Sequence, residues 1–408
     1  MKAGWEVKAL GEVCSKIQDG AHESPKSTYP EPASGRFPYL TSKNIRNGYL
    51  DLSDISYVDE SFHNSIYPRC NAELGDVLLT KDGSNTGNVT LNTLDEPFST
   101  LSSVCLLKPD RRVLSAAFLT YYLQSSEGFE QITGQMTGAA IKRIILKTIK
   151  ASTIPLPPLD EQKRIVEVLD AAFEGLSRAR AHIETNLQNA RELFLRSIEC
   201  EFELLAEIHE RQTVGEIATI KGGKRLPKGQ KTVASETPFP YISIKDFNDQ
   251  GSVDVTGIDY LLPETRDAIK NYVIRSEDLY ISIAGTIGKT GIVPPELDGA
   301  NLTENAARMV FKDEINNEYV YFFTLTADFQ DQAGLNTRTA AQPKLALERL
   351  KTISVPIVPL AEQIQMAAKF RSVREHTQQA ETHYRAKLAD LDALRQALLQ
   401  KAFAGELT

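Results

Sequence analysis

The stretch IPLPPLDEQKRIVEVLD, Ile154 to Asp170, returns almost unchanged as VPIVPLAEQIQMAAKF, Val355 to Phe370. Both begin with spaced prolines, pass through Pro-Leu-x-Glu-Gln and open into a helical pattern. Three further segments repeat in the same order. LGEV (Leu10–Val13) returns as VGEI (Val214–Ile217), and FPYLTSKNIRNG from Phe37 as FPYISIKDFNDQG from Phe239. GDVLLTKDGSNTG from Gly75 is echoed by EDLYISIAGTIG from Glu277. A nearly constant offset of about 200 residues, kept across four matches, marks a duplication. The chain must therefore build one fold twice, with scope for approximate internal two-fold symmetry.

Within each half the texture changes at the proline motif. Before it, short apolar runs such as DVLLT, SSVCLLK, FPYIS and DLYISIA are bounded by Gly, Asn, Asp and Pro, the pattern of strands in a mixed α/β domain. LSAAFLTYYLQSS and EYVYFFTLTADFQ read as helices at the same place in their halves. After the motif, Ile165, Leu169, Ala172, Leu176, Ala179 and Ile183 step by alternate fours and threes, a heptad seam. Leu187, Ala190 and Phe194 continue it after a stutter. In the second copy the stripe is Val373, Ala380, Tyr384, Leu388, Leu391, Leu394 and Leu398.

A helix of about 45 residues would run ~68 Å at ~1.5 Å per residue. It cannot bury such a stripe alone, so two in one chain are expected to bury each other, with Leu169 and Leu176 facing Leu391 and Leu398. The prolines close each globular part in an extended segment, and Asp160 and Glu161 suit a first helical turn. These readings divide the chain into globular parts at 1–158 and 207–357 and helices at 159–206 and 358–408.

The 408 residues suit about two to four domains. No apolar run approaches a membrane span, and the N-terminus lacks a signal-peptide core. Cys14, Cys70, Cys105 and Cys200 have no metal-ligand or redox spacing and read as reduced thiols packed as small hydrophobes in a cytoplasmic protein. The six histidines, His22, His63 and His182 among them, form no ligand or triad spacing and read mostly as surface residues.

IPLPPLDEQKRIV, its echo VPIVPLAEQIQM, the ending LRQALLQKAFAGEL and the half-repeat layout together resemble the specificity subunits of type I restriction-modification systems. Val358 replaces Pro157 and Gln365 replaces Arg164 in the second junction, which makes it the less typical one. The resemblance implies an α+β chain of two tandem target-recognition domains, each followed by a long helix, with the helices packed as an antiparallel coiled coil of pseudo-two-fold symmetry. Each domain would read one half of a split site in double-stranded DNA, and the helices would act as spacer. The subunit would have no catalysis of its own. It would dock two modification subunits, which carry S-adenosylmethionine and methylate adenine, and could recruit restriction subunits.

Net charge is -8, and neither globular half is basic, so DNA contacts must come from local patches. KGGKRLPKGQK offers Lys221, Lys224, Arg225 and Lys228 in a glycine-rich loop, suited to phosphates or simply solvated. TSKNIRNG offers Lys43, Asn44 and Arg46, with asparagine suited to adenine and the bases to guanine or phosphate. Lys245 is its counterpart in the second half. TKDGSNTG offers Lys81, Ser84 and Asn85 in a glycine turn, the pattern of an ordinary hairpin, and SIAGTIGKTG adds Lys289. QMTGAAIKR and NTRTAAQPK offer Lys142, Arg143, Arg338, Gln342 and Lys344, to be weighed against a helix start with surface charge.

An adenine methyltransferase needs a polar-Pro-Pro-aromatic loop. Pro157-Pro158 and Pro294-Pro295 lack both flanks, and no Walker loop is present. The rival readings are a coiled-coil scaffold that binds only protein, a specificity module of another methyltransferase-based phage-defence system, and an enzyme with an unrecognised site.

Overall fold

The computed structural model describes residues 4–134, 136, 143–334 and 345–407. The chain forms two compact units: Met1–Ile183 with Arg385–Thr408, and Glu184–Tyr384. Each takes one part of each of two long helices, Leu159–Ile208 and Leu360–Ala404.

The first unit contains β1 (Glu6–Ala9), β2 (Cys14–Asp19), β3 (Arg36–Leu40), β4 (Ile45–Arg46), β5 (Tyr49–Leu50) and β6 (Ser56–Asp59). It continues with β7 (Val77–Thr80), β8 (Val89–Leu91), β9 (Ser99–Thr100), β10 (Val104–Pro109) and β11 (Thr153–Leu156). A four-stranded sheet has the order β2-β10-β7-β8, a three-stranded sheet β6-β3-β9, and β1 pairs with β11.

The second unit contains β12 (Arg211–Thr213), β13 (Ala218–Gly222), β14 (Pro240–Ile242), β15 (Asp259–Tyr260) and β16 (Leu279–Ser282). It ends with β17 (Thr290–Ile292), β18 (Asn301–Leu302), β19 (Ala306–Phe311) and β20 (Ser354–Pro356). Its sheets, β13-β19-β16-β17, β15-β14-β18 and β12-β20, repeat those three sheets of the first unit. Where the first unit pairs β4 with β5, the second has an isolated bridge between Phe247 and Val253.

The apolar runs are strands because both faces of the larger sheet are covered. Val77, Leu79, Cys105 and Leu107 face a core completed by Phe118, Tyr122, Ile165, Leu169, Leu399 and Phe403. Leu78, Val104 and Leu106 face a second core with Leu40, Ile45 and Phe98. LSAAFLTYYLQSS supplies the helix Ala116–Gln124. After it Ser125 turns back to Tyr122 O and caps a second helix, Ser126–Thr133. EYVYFFTLTADFQ is likewise two helices, Asn317–Phe323 and Ala327–Ala333, because the Thr324 and Thr326 hydroxyls turn back to backbone carbonyls and Thr326 caps the second.

The proline segments are strands: Pro155 lies opposite Val7, and Pro356 opposite Arg211. Each leads into a long helix that is locked by one glutamine. Gln162 is fully buried; its Oε1 accepts from Ser115 N (2.8 Å), and its Nε2 donates to Val113 O (2.9 Å) and Pro157 O (2.8 Å). Gln363 repeats this with Asn316 N (2.8 Å), Glu314 O (3.3 Å) and Val358 O (2.7 Å). The repeated Glu-Gln pair thus has a structural cause in its glutamine.

In each unit the helices run antiparallel. In the first, Ile165 and Leu169 share a core with Leu399, Ala402 and Phe403, with Leu398 packed against it, while Arg180 pairs with Asp392. Leu176 and Leu391 line one groove. The expected facing of Leu169 and Leu176 with Leu391 and Leu398 is therefore present. In the second unit, Arg191 pairs with Glu381 (3.1 Å) and Glu201 with Lys369 (2.6 Å). Phe202 there stacks on Phe370.

Three sequence expectations need correction. Leu394 is 48% exposed; Arg395 holds the seam instead, its guanidinium 4.2 Å from the Phe173 ring centroid. His63 is buried between Phe37 and Tyr67, its Nδ1 2.9 Å from Ser99 Oγ. Cys70 and Cys105 are buried as expected, but Cys200 is exposed on its helix.

Candidate nucleic-acid interface

In the first unit, five loop segments converge at one end of the sheets. The chain after β2 passes so close to β9 that a Cβ on Gly20 would lie 2.2 Å from Thr100 O. Ser42 N donates to Ser103 Oγ (3.2 Å), and Asn85 Nδ2 donates to Ser42 O (3.1 Å). Lys81 N donates to Ser103 O, Ile144 N donates to Lys81 O (2.8 Å each), and Asp82 bridges to Arg143. TSKN, TKDGSNTG and Arg143, about a hundred residues apart at the extremes, are brought together. TKDGSNTG is the β7–β8 hairpin turn, with Gly83 and Gly87 at positive φ.

The second unit repeats the convergence. A Cβ on Gly223 would lie 2.0 Å from Thr303 O. Lys224 N donates to Leu302 O, Leu345 N donates to Ile283 O (2.9 Å each), and Lys289 Nζ donates to Phe247 O (3.1 Å).

The individual residues fare differently. Asn44 is 1% exposed and has no free edge: its Oδ1 accepts from Thr41 N (2.9 Å), and its Nδ2 donates to Asp51 O (3.0 Å). It shapes the loop that carries Lys43 and Arg46. Lys81 is also buried, because it neutralises buried Asp19 (3.4 Å) and approaches Asp82 (3.8 Å). Burial would raise the Asp19 pKa, but the Arg69 hydrogen bond and the Lys81, His22 and Arg69 charges hold it below the ordinary carboxylate range.

Most other cations in the group are paired with acids. Lys43 meets Asp54 (2.7 Å), Arg46 meets Asp51 (3.2 Å), and Arg143 meets Asp82 (3.7 Å). Arg225 meets Glu304 (2.8 Å), Lys245 meets Asp259 (2.8 Å), and Lys289 meets Asp249 (2.6 Å). Lys224 stands 5.4 Å over the Tyr272 ring. Lys221, Lys228 and Ser84 are exposed. Lys142, Arg338, Gln342 and Lys344 lie outside the described residues.

Sequence reading missed Arg69, which donates to Asp19 (2.7 Å) and Gly20 O (3.1 Å), and also Tyr272. The Asp-Gly pair at the end of β2 was a usable signal for the first. Tyr272 had none, being remote in sequence from the loop that it supports. A separate groove of about 880 Å³ in the first unit is lined by Tyr121, Asp170, Phe173 and Arg395 beside the seam residues Leu176 and Leu391, and by none of the candidate DNA contacts. Among the described residues no cluster of potential metal ligands occurs, and no helix is long and apolar enough to cross a membrane.

The model of the type I restriction modification DNA specificity domain matches residues 2–188 and again 209–389. The chain belongs to that family. Family membership makes it a DNA sequence-specificity subunit with two specificity domains in tandem. Its relatives include the type I restriction enzyme MjaVIII specificity subunit of Methanocaldococcus jannaschii, 24% identical over 90% of this chain and 86% of that one. The EcoKI specificity subunit of Escherichia coli K12 is 22% identical over 99% of this chain and 89% of its own.

Among solved structures, a chain from a study of assembly and conformational transition in a type I restriction-modification system aligns with a TM-score of 0.77. It is 19% identical and covers 100% of this chain and 99% of its own. The HsdS subunit of Thermoanaerobacter tengcongensis aligns at 0.54, also 19% identical, over 100% and 98%. Both share the fold of this specificity subunit.

Proposed function

We propose that this specificity subunit reads a split target in double-stranded DNA, residues 1–158 and 207–357 each supplying one reader. The helices from 159 and 358 act as the spacer that sets the gap. The subunit performs no chemistry itself and docks two modification subunits, which hold S-adenosylmethionine and methylate adenine. Restriction subunits join the same assembly, and the complex works in the cytoplasm. Lys43, Arg46, Ser84, Asn85 and Arg143 in the first unit, and Lys221, Lys224, Arg225, Lys228, Lys245 and Lys289 in the second, form the DNA-facing set. Asn44 and Lys81 hold their loops.

The observation that carries this reading is the repetition of one loop convergence on two units that share three sheets of the same order and whose loop side chains differ. Two such surfaces suit two different half-sites. Carboxylates beside most of the cations fit weak DNA binding by the isolated subunit, with partners adding phosphate contacts. A scaffold that binds only protein would not need divergent basic loops on a repeated frame.

Footprinting of the assembled complex on a randomised duplex library tests the proposal. Two short protected blocks separated by an unread gap are expected. Protection without sequence preference would overturn it.

A further inference from the structure

The sheets give a residue-by-residue correspondence between the units. β3 runs parallel to β9 with Tyr39 opposite Ser99 and Leu40 opposite Thr100. β14 runs parallel to β18 with Tyr241 opposite Asn301 and Ile242 opposite Leu302. The following residues therefore correspond in order: Thr41 with Ser243, Ser42 with Ile244, Lys43 with Lys245, and Asn44 with Asp246. The last pair confirms the register, since Asn44 Oδ1 accepts from Thr41 N (2.9 Å) and Asp246 Oδ2 from Ser243 N (2.8 Å).

Within this loop the neighbours diverge, yet the lysine is kept. Its side chain is 43% exposed in the first unit and 58% in the second. Each ammonium meets one carboxylate, Asp54 at 2.7 Å and Asp259 at 2.8 Å. The acids do not correspond. Asp259 lies opposite Tyr241, whereas the residue opposite Tyr39 is Ser56, so Asp54 comes from outside that register. The two copies reach the same ion pair from different positions.

We propose that Lys43 and Lys245 are corresponding phosphate contacts, one in each unit. Asp54 and Asp259 hold each ammonium in the place of a phosphate oxygen until duplex DNA displaces them. This rests on the proposed DNA-reading function and assigns the chemistry of two contacts within it. A side chain shared by both units cannot distinguish two different half-sites, so it suits the sequence-independent backbone. Lysine is a point charge with rotatable donors, suited to a phosphate oxygen. Exposed ion pairs add little to folding, so folding alone does not explain keeping this one twice. Base discrimination then falls to the divergent positions, among them Arg46 and Asn85.

The test is equilibrium binding by the complex of this chain with its modification subunit, from 50 to 200 mM salt. The probes are a duplex carrying the methylated motif and a scrambled duplex of equal length. Lys43→Gln and Lys245→Gln should each flatten the slope of log affinity against log salt by ~0.9, and weaken both duplexes alike. Across that salt range each variant would lose about threefold less affinity than the unaltered complex. Lys43→Arg should restore the slope. Asp54→Asn and Asp259→Asn should strengthen binding several-fold. Lysine and aspartate variants that weaken binding together at unchanged slope would overturn the inference and leave a purely structural pair. An unaltered complex that cannot tell the two duplexes apart would overturn the DNA-reading function itself.

Discussion

At the residue scale the repeated Pro-Leu-x-Glu-Gln motif turns on its glutamine. Gln162 serves one amide and two carbonyls in a fully buried position. Gln162→Met keeps the volume but strands those groups, and should destabilise the chain by about 2–4 kcal/mol, read as a fall in denaturation midpoint; Lys163→Met, on the exposed neighbour, should change it little. The motif was legible in sequence and its mechanism was not, because besides the local Pro157 O the glutamine's partners are on Val113 and Ser115, which only folding brings to it. His63 was misplaced for a similar reason: Tyr67 stands one helical turn further on, but Phe37, which stacks on the other side of the ring, comes from β3. Burial holds its pKa below the ordinary histidine value. Neutral histidine is thus favoured in the fold, so its contribution is present above pH ~6.5 and is lost as pH falls through the lower folded value. Denaturation midpoints measured at pH 5 and 7.5 should differ, and His63→Phe should reduce the difference.

At the element scale, the heptad spacing located both long helices, and the strands were legible as apolar runs. The seam drifted at Leu394 because the stripe there no longer packs only leucines: Arg395 lies over Phe173 and donates to Gln124. Periodicity counts apolar residues and misses an arginine whose stem and guanidinium cover a ring. Leu169→Ala should cost about 2–5 kcal/mol, whereas Leu394→Ala should change the denaturation midpoint little. One heptad inserted into each helix should change the number of unread base pairs in the target, as methylation sequencing of the variant would show. An unchanged gap would contradict the spacer role.

At the scale of the whole molecule, the first unit is closed by the last residues of the chain. Leu399, Ala402 and Phe403 lie in its core, and the Phe403 ring meets those of Phe118 and Tyr122 at 5.1 Å. Removing residues 388–408 should unfold the N-terminal unit while the unit of Glu184–Tyr384 stays protease-resistant. Limited proteolysis reads this directly. The duplication and family resemblance were visible in sequence. The convergence of loops was not, since it depends on sheet order, and carboxylate pairing of the cations could not be seen from charge counts alone. The central claim is that this chain chooses the DNA sequence that a partner modifies. Single-molecule methylation sequencing should be made in a methylation-free host expressing the chain with its neighbouring modification subunit. The account predicts a split, adenine-methylated motif that disappears when this chain is omitted. Methylation that is absent, or indifferent to this chain, would contradict it.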